Sequence, residues 1–186
     1  RGGDIYTYTG PILIAVNPFK NMNLYNDSIL KSYFELGVAQ SQGIEDLPPL
    51  PPHVYAVATN AFHHMVQRIR AGSKWAGSSQ SILISGESGS GKTVSTKHCL
   101  SCLSSVGRLM TGSQAKVLRR RGSLHRMSVE RNTENDPLMQ SNPILETFGN
   151  ARTLRNDNSS RFGKLVSMFF SAQGGLPGSK IEAYLL

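Results

Sequence analysis

The sequence predicts an α/β fold arranged around a phosphate-binding loop, on three observations. Residues 86–93 read Gly-Glu-Ser-Gly-Ser-Gly-Lys-Thr and satisfy the pattern GxxxxGK[ST]. The apolar run Ile82-Leu83-Ile84 stands immediately before them, and Leu100, Leu103, Val106 and Met110 follow at three- and four-residue intervals. Strand, glycine turn and one-sided helix in that order form half of a βαβ unit. The glycines let successive backbone N–H groups approach phosphate oxygens, which a Cβ would obstruct. Lys92 supplies a point charge for the β- and γ-phosphates. The Thr93 hydroxyl is a hard oxygen suited to Mg2+, and the helix that follows aims its positive end at the same anion.

The other elements follow in chain order. Ile12-Leu13-Ile14-Ala15-Val16 predicts a buried strand that stops at Asn17-Pro18, because proline removes a ladder donor and restricts the residue before it. An irregular, partly helical stretch runs to Leu36, and Leu47 to Pro52 is too rich in proline to be helical. From His53 to about Ala71, Val54, Val57, Ala58, Ala61, Phe62, Met65, Val66 and Ile69 hold the helical period over four turns. Gly72 ends that helix, and residues 73–79 form a loop containing the single tryptophan, Trp75, expected to pack onto neighbouring helices. Residues 111–134 lose periodicity and predict an exposed loop. Asp136-Pro137 then opens a helix with Leu138, Ile144, Leu145 and Phe148 on its apolar side and Pro143 as a kink. Asn156 to Arg161 is polar and hydroxyl-rich at the mouth of a hairpin, whose arms are 165–170 and 181–186 around Gly-Gly-Leu-Pro-Gly.

Composition bounds the function classes. At 186 residues and 39% hydrophobic the chain can bury a core, and its net charge of +8 raises a polyanionic partner. Five of those charges sit between Lys116 and Arg131, where six basic residues face the single acid Glu130, so the excess belongs to one loop and argues against nucleic acid. Arg120-Arg121-Gly122-Ser123 within it fits a basic-directed kinase, although a solvated loop explains the charge more simply. Cys99 and Cys102 lack the further ligands of a zinc site and read as packing thiols, while the adjacent His63 and His64 point apart and form no ligand pair. No run approaches eighteen apolar residues, so membrane insertion is not expected. An Arg1 start and a Tyr184-Leu185-Leu186 end inside a strand lead us to expect a segment of a longer domain, truncated at both ends.

Beyond the phosphate loop, Asn156-x-Asn-Ser-Ser-Arg-Phe-Gly-Lys164 resembles the first switch loop of the myosin motor domain. Thr7 to Pro11 through Asn17-Pro18-Phe19-Lys20 is similar to the family's strand and purine-binding loop, and Asn142 to Thr153 to the segment leading into the switch. Kinesins share the loop and an Asn-x-x-Ser-Ser-Arg switch, but follow its arginine with Ser-His, where Phe162-Gly163-Lys164 stands here. The resemblance implies a P-loop NTPase with a central mixed β-sheet flanked by helices, residues 1–186 forming part of a motor domain. Its parts would be a purine loop near 17–25, a phosphate loop at 86–93, a variable basic surface loop at 111–134 and the first switch at 156–164.

The same resemblance implies site roles, with ATP and Mg2+ as cofactors. Asn17, Pro18, Lys20 and Tyr25 would face the adenine; Gly86, Glu87, Ser88, Gly89, Ser90, Gly91, Lys92 and Thr93 would hold the phosphates. Asn156 and Ser159 would approach from the opposite side, Thr93 and Ser160 would hold Mg2+, and Lys92, Ser159 and Arg161 would act in catalysis, with Arg161 pairing to a glutamate of a second switch beyond Leu186. The implied activity is a cytoplasmic, cytoskeleton-associated, actin-activated ATPase, with actin, light chains and cargo engaged outside these residues. Ser90 replaces the usual alanine, Val94-Ser95 the usual Glu-Asn, and Asn21 and Asn23 common basic and proline residues. Two alternatives stand beside it: a truncated or degenerate non-catalytic nucleotide-binding module, and a nucleic-acid-dependent P-loop ATPase, which would bind oligonucleotides with steep salt dependence.

Overall fold

Helix α2 (Val54–Arg70) lies at the centre of the fold, between α1 (Asp27–Ser41) and α4 (Lys92–Thr111). The computed structural model describes residues 4–41, 47–72, 75–111 and 137–185; most of the basic loop therefore lies outside the described residues. Val54, Ala58, Phe62 and Val66 put one side of α2 into a core shared with Leu30 and Phe34 of α1 and with Cys99, Cys102, Val106 and Leu109 of α4. Each fully buried large side chain contributes about 1.5–3 kcal/mol of hydrophobic stabilisation. Cys99 and Cys102 are free and buried, as expected of packing thiols, and burial pushes both thiols up to about 12.

Local chemistry sets the helix ends. The Asn26 side chain accepts from Ile29 N at 2.9 Å and caps α1, which extends past Leu36 to Ser41. His53 caps α2: its Nδ1 accepts from Tyr55 N at 3.0 Å while its Nε2 donates to Leu24 O at 3.1 Å, which fixes the neutral tautomer. The Gly72 residue predicted to end α2 adopts φ 80° and donates to Ile69 O. Trp75–Ser78 forms a short helix α3 where a loop is expected. Helix α5 (Pro137–Gly149) starts where predicted and contains Pro143, but Ile144 and Phe148 on its expected apolar side are 63% and 87% exposed.

The strands differ more from expectation. They form three separate antiparallel pairs: β1 (Tyr6–Thr9) with β2 (Ile12–Ala15), β3 (Asn150–Thr153) with β4 (Asn156–Ser160), and β5 (Phe162–Phe169) with β6 (Gly178–Leu185). The β5–β6 pair is the hairpin expected from the sequence, in continuous register from Phe162 opposite Leu185 to Phe169 opposite Gly178. A central mixed sheet is not assembled among the described residues. Residues 82–84 carry the expected composition but join no ladder, and Leu83 is 91% exposed. The predicted buried strand at 12–16 is instead an exposed hairpin arm, since β1 on one edge is its sole partner among the described residues. Periodicity reported the strand propensity of these runs, and burial depended on neighbours that a local pattern does not contain.

Two predictions follow from the α1–α2 contact. A Cβ built on Gly37 would lie 2.5 Å from Thr59 Cγ2 and 2.9 Å from the His63 ring, so Gly37→Ala is expected to cost about 1–3 kcal/mol, read from the urea midpoint at pH 7. His53 and His63 are buried, and desolvation holds each imidazole down to about 4. Because their folded values lie below the unfolded 6.5, the stability they support is complete above pH 6.5 and is lost as pH falls toward 4, by up to about 2–3 kcal/mol each. The urea midpoint should therefore drop between pH 7 and pH 5. His63→Leu, which removes an Nε2 that has no hydrogen-bond partner among the described residues, should flatten that slope.

Candidate nucleotide site

The glycine-rich loop 86–91 connects residues 82–85, which join no ladder, to α4, and its backbone needs glycine. Gly89 and Gly91 adopt φ 80° and 93°, a left-handed conformation that strains any residue with a Cβ. A Cβ on Gly89 would also stand 3.5 Å from Arg155 O and 3.7 Å from Asn156 Cβ, so the β3–β4 hairpin lies directly over the loop. Lys92, the first residue of α4, donates through Nζ to Gly86 O at 2.6 Å and Glu87 O at 2.8 Å. Its three rotatable donors are thus held at the rim of the loop.

Two side chains tie the loop to its surroundings. On one side Asn17 donates through Nδ2 to Gly89 O at 2.7 Å and accepts through Oδ1 from Phe19 N at 3.0 Å. That turn places Phe19, 83% exposed, at φ 50°, a conformation uncommon for a residue with a side chain. On the other side Ser88 shares a 2.8 Å hydroxyl contact with Ser159 of β4, which is 3% exposed, and a longer one of 3.4 Å with Thr153. Glu87 also forms an ion pair with Arg155, with both side chains exposed.

The structure brings most of the sequence-predicted residues together around these ties. Asn17, Pro18, Lys20 and Tyr25 line a cleft of about 1020 Å3 with Ser90 and Gly91. Thr93 and Ser160 line a second, smaller cavity of about 160 Å3 with Lys92 and Lys164. Two hydroxyls beside a lysine form a donor set suited to a hard cation held against phosphate. Asn156 sits over Gly89, and its side chain accepts from Asn158 N at 3.1 Å. Arg161 is placed differently: its backbone N–H donates to Gly149 O, its side chain is exposed, and its guanidinium meets no carboxylate among the described residues.

The polar, hydroxyl-rich stretch Asn156–Ser160 is itself a strand, paired with Asn150–Thr153 ahead of the β5–β6 hairpin. Asn, Asp and Ser are poor strand formers, and the pairing is reinforced by Asn150 Nδ2 donating to Asn158 Oδ1 at 2.8 Å and by the Arg152–Asp157 ion pair. Sequence reasoning also missed Arg155, Thr153, Asn142 and His98. Lys164 Nζ donates to Asn142 Oδ1 at 2.6 Å, Lys97 pairs with Glu146 at 3.0 Å, and desolvation, helped by Lys97, lowers the Lys164 ammonium from its ordinary value. Their cross-chain partners left no sequence signal, although Asn142 and Lys164 both fall inside the blocks of resemblance.

With this geometry in hand, comparison with known proteins is decisive. Residues 1–186 match the family described as myosin head (motor domain). The chain belongs to the myosin motor-domain family. It is 39% identical to myosin-J heavy chain of Dictyostelium discoideum, 41% to myosin-VIIa of Drosophila melanogaster and 43% to myosin-13 of Arabidopsis thaliana, each over 98% of this chain. It spans only 8%, 7% and 10% of those relatives' lengths. The family is one of nucleotide binding with Mg2+, and the apposition of Ser88 with Ser159 brings residues 86–93 and 156–164 together in space. No helix among the described residues is long and apolar enough to cross a membrane.

Proposed function

We propose that these residues form the ATP-binding part of an actin-based motor that hydrolyses Mg·ATP to move along actin filaments. The observation that carries this is the closure of β4 over the phosphate loop, with buried Ser159 2.8 Å from Ser88 and Asn17 clamping Gly89 from the far side. In this assignment the purine loop is near 17–25, the phosphate loop at 86–93, the variable surface loop at 111–134 and the first switch at 156–164. Contact with actin, light chains and cargo belongs to regions outside these residues, at a cytoskeletal location.

The residues support phosphoryl transfer through position and charge. Gly86 to Gly91 would offer backbone donors to a polyphosphate, Lys92 would exchange its bonds to the Gly86 and Glu87 carbonyls for phosphate oxygens, and Asn156 and Ser159 would close over it from β4. Thr93 and Ser160 would hold Mg2+, which when bound neutralises charge on the phosphate oxygens. Water would be the nucleophile, so no covalent enzyme intermediate is needed. The exposed guanidinium of Arg161 is assigned to an acidic partner in a second switch, closing the site. A segment without that partner would bind nucleotide and hydrolyse it poorly, which is the non-catalytic alternative. Sequence beyond Leu186 with an Asp-x-x-Gly switch and a matching glutamate decides between them.

In a complete motor domain, Lys92→Ala is expected to abolish Mg·ATP binding measured by calorimetry. Ser159→Ala should raise the hydrolysis barrier by about 3–4 kcal/mol, a 10²- to 10³-fold loss in single-turnover rate. Actin-stimulated turnover that survived Lys92→Ala would sink the assignment.

A further inference from the structure

Helix α4 starts with Lys92 and Thr93 and carries His98 six residues later. At a rise of about 1.5 Å per residue, the imidazole is mounted about 9 Å along the axis from the phosphate-binding end of the same rigid element. It lies flat against the Tyr25 ring, with centroids 3.5 Å apart and planes 9° from parallel. Tyr25 is restrained elsewhere as well. Its hydroxyl is 2.7 Å from that of Tyr6, Tyr55 meets it edge-on at 6.3 Å, and His53 tilts against it at 5.6 Å. Tyr25, His98, Tyr6 and Asn17 all line the large cleft beside Gly91. The stacked pair is too close to admit a third ring between its members, so a planar ligand must rest on the outside of the pair, whose position is set by α4.

We propose that His98 is a positioning residue for the nucleobase. It acts through Tyr25, fixing the distance between the base slot and the phosphate loop so that the cleft selects a nucleoside triphosphate over a bare polyphosphate. This rests on the nucleotide assignment above and adds a residue that the motif blocks did not supply. Tyr25 alone would hold the slot to the hairpin and to α2. The His98 stack also links it to the helix that begins with Lys92, so base and phosphate recognition share one rigid reference.

The test compares ATP with inorganic tripolyphosphate, both with Mg2+, on the full-length protein. His98→Ala is expected to weaken ATP binding about three- to tenfold, the worth of one aromatic pair, while leaving tripolyphosphate binding unchanged. His98→Phe, which restores a ring on Tyr25, is expected to recover ATP affinity, and the thermal midpoints of both variants report whether folding is retained. Unchanged or tighter ATP binding in His98→Ala, with tripolyphosphate still bound, overturns the role of His98 alone, as does an equal loss for both ligands. Failure of the unsubstituted protein to bind either ligand overturns the nucleotide assignment and this inference with it.

Discussion

The burial of α4 against α2 is the constraint on which the site depends. Cys102 and Val106 are 0% exposed, and Cys102 Sγ lies 3.9 Å from Thr59 Oγ1 across the helix interface. The N-terminus of the same helix carries Lys92 and Thr93, so the depth at which its later turns pack fixes where its first turn presents donors. A phosphate loop is a flexible run of glycines; it becomes a site only because the helix it enters is anchored two to four turns away. His53 extends that anchoring to the segment that lines the large cleft, joining the α2 N-terminus to Leu24 O. Losing that neutral histidine would therefore disturb both packing and the cleft.

The contacts across the loop differ in worth. Glu87–Arg155 and Arg152–Asp157 join exposed groups, where solvent and salt leave an ion pair about 0–1 kcal/mol. Ser88–Ser159 is different because Ser159 is buried, and a polar group left without a partner there costs about 1–3 kcal/mol. Asn142–Lys164 belongs with it: Lys164 is partly desolvated, and its ammonium needs the amide oxygen it meets. The alignment of β4 with the glycine-rich loop is thus set by the shielded hydroxyl pair, with the surface ion pair Glu87–Arg155 adding orientation, while Lys164–Asn142 ties β5 to α5.

What was legible in the sequence was chemistry of short range. The helix after the glycine-rich loop, the α2 period, the Gly72 stop and the β5–β6 hairpin each depend on residues within a turn or two of one another, and the structure places them as expected. Apolar runs at 12–16 and 82–84 disclosed strand propensity but not burial, which depends on neighbours distant in the chain. The β4 strand was hidden for the opposite reason: its composition is that of a loop, and cross-strand partners at 150–153 supply the order. Within the site, the resemblance identified Asn17, Ser159 and Ser160 by position, whereas His98 and Arg155 became visible only once aromatic and ionic partners from other elements lay beside them.

The exposed strands impose a final condition on the site. A two-stranded hairpin is marginal in water by itself, yet β1–β2 and β3–β4 carry or adjoin Asn17, Asn156 and Ser159. Tyr6 of β1 packs onto the helices, and β3–β4 is held to the glycine-rich loop through Ser88–Ser159. Tyr6, Ile82, Ile84 and Met168 are partly buried against the helical core, while Ile12, Val16 and Leu83 are more than half exposed. The β1–β2 wall of the cleft is therefore attached to the helical core through Tyr6, whereas β3–β4 contributes no residue to that core. A change that loosens α2 against α4 would shift the helix that begins with Lys92 and the Tyr25–His98 stack together, whereas a change confined to the exposed strand faces would leave the Asn17–Gly89 and Ser88–Ser159 ties in place.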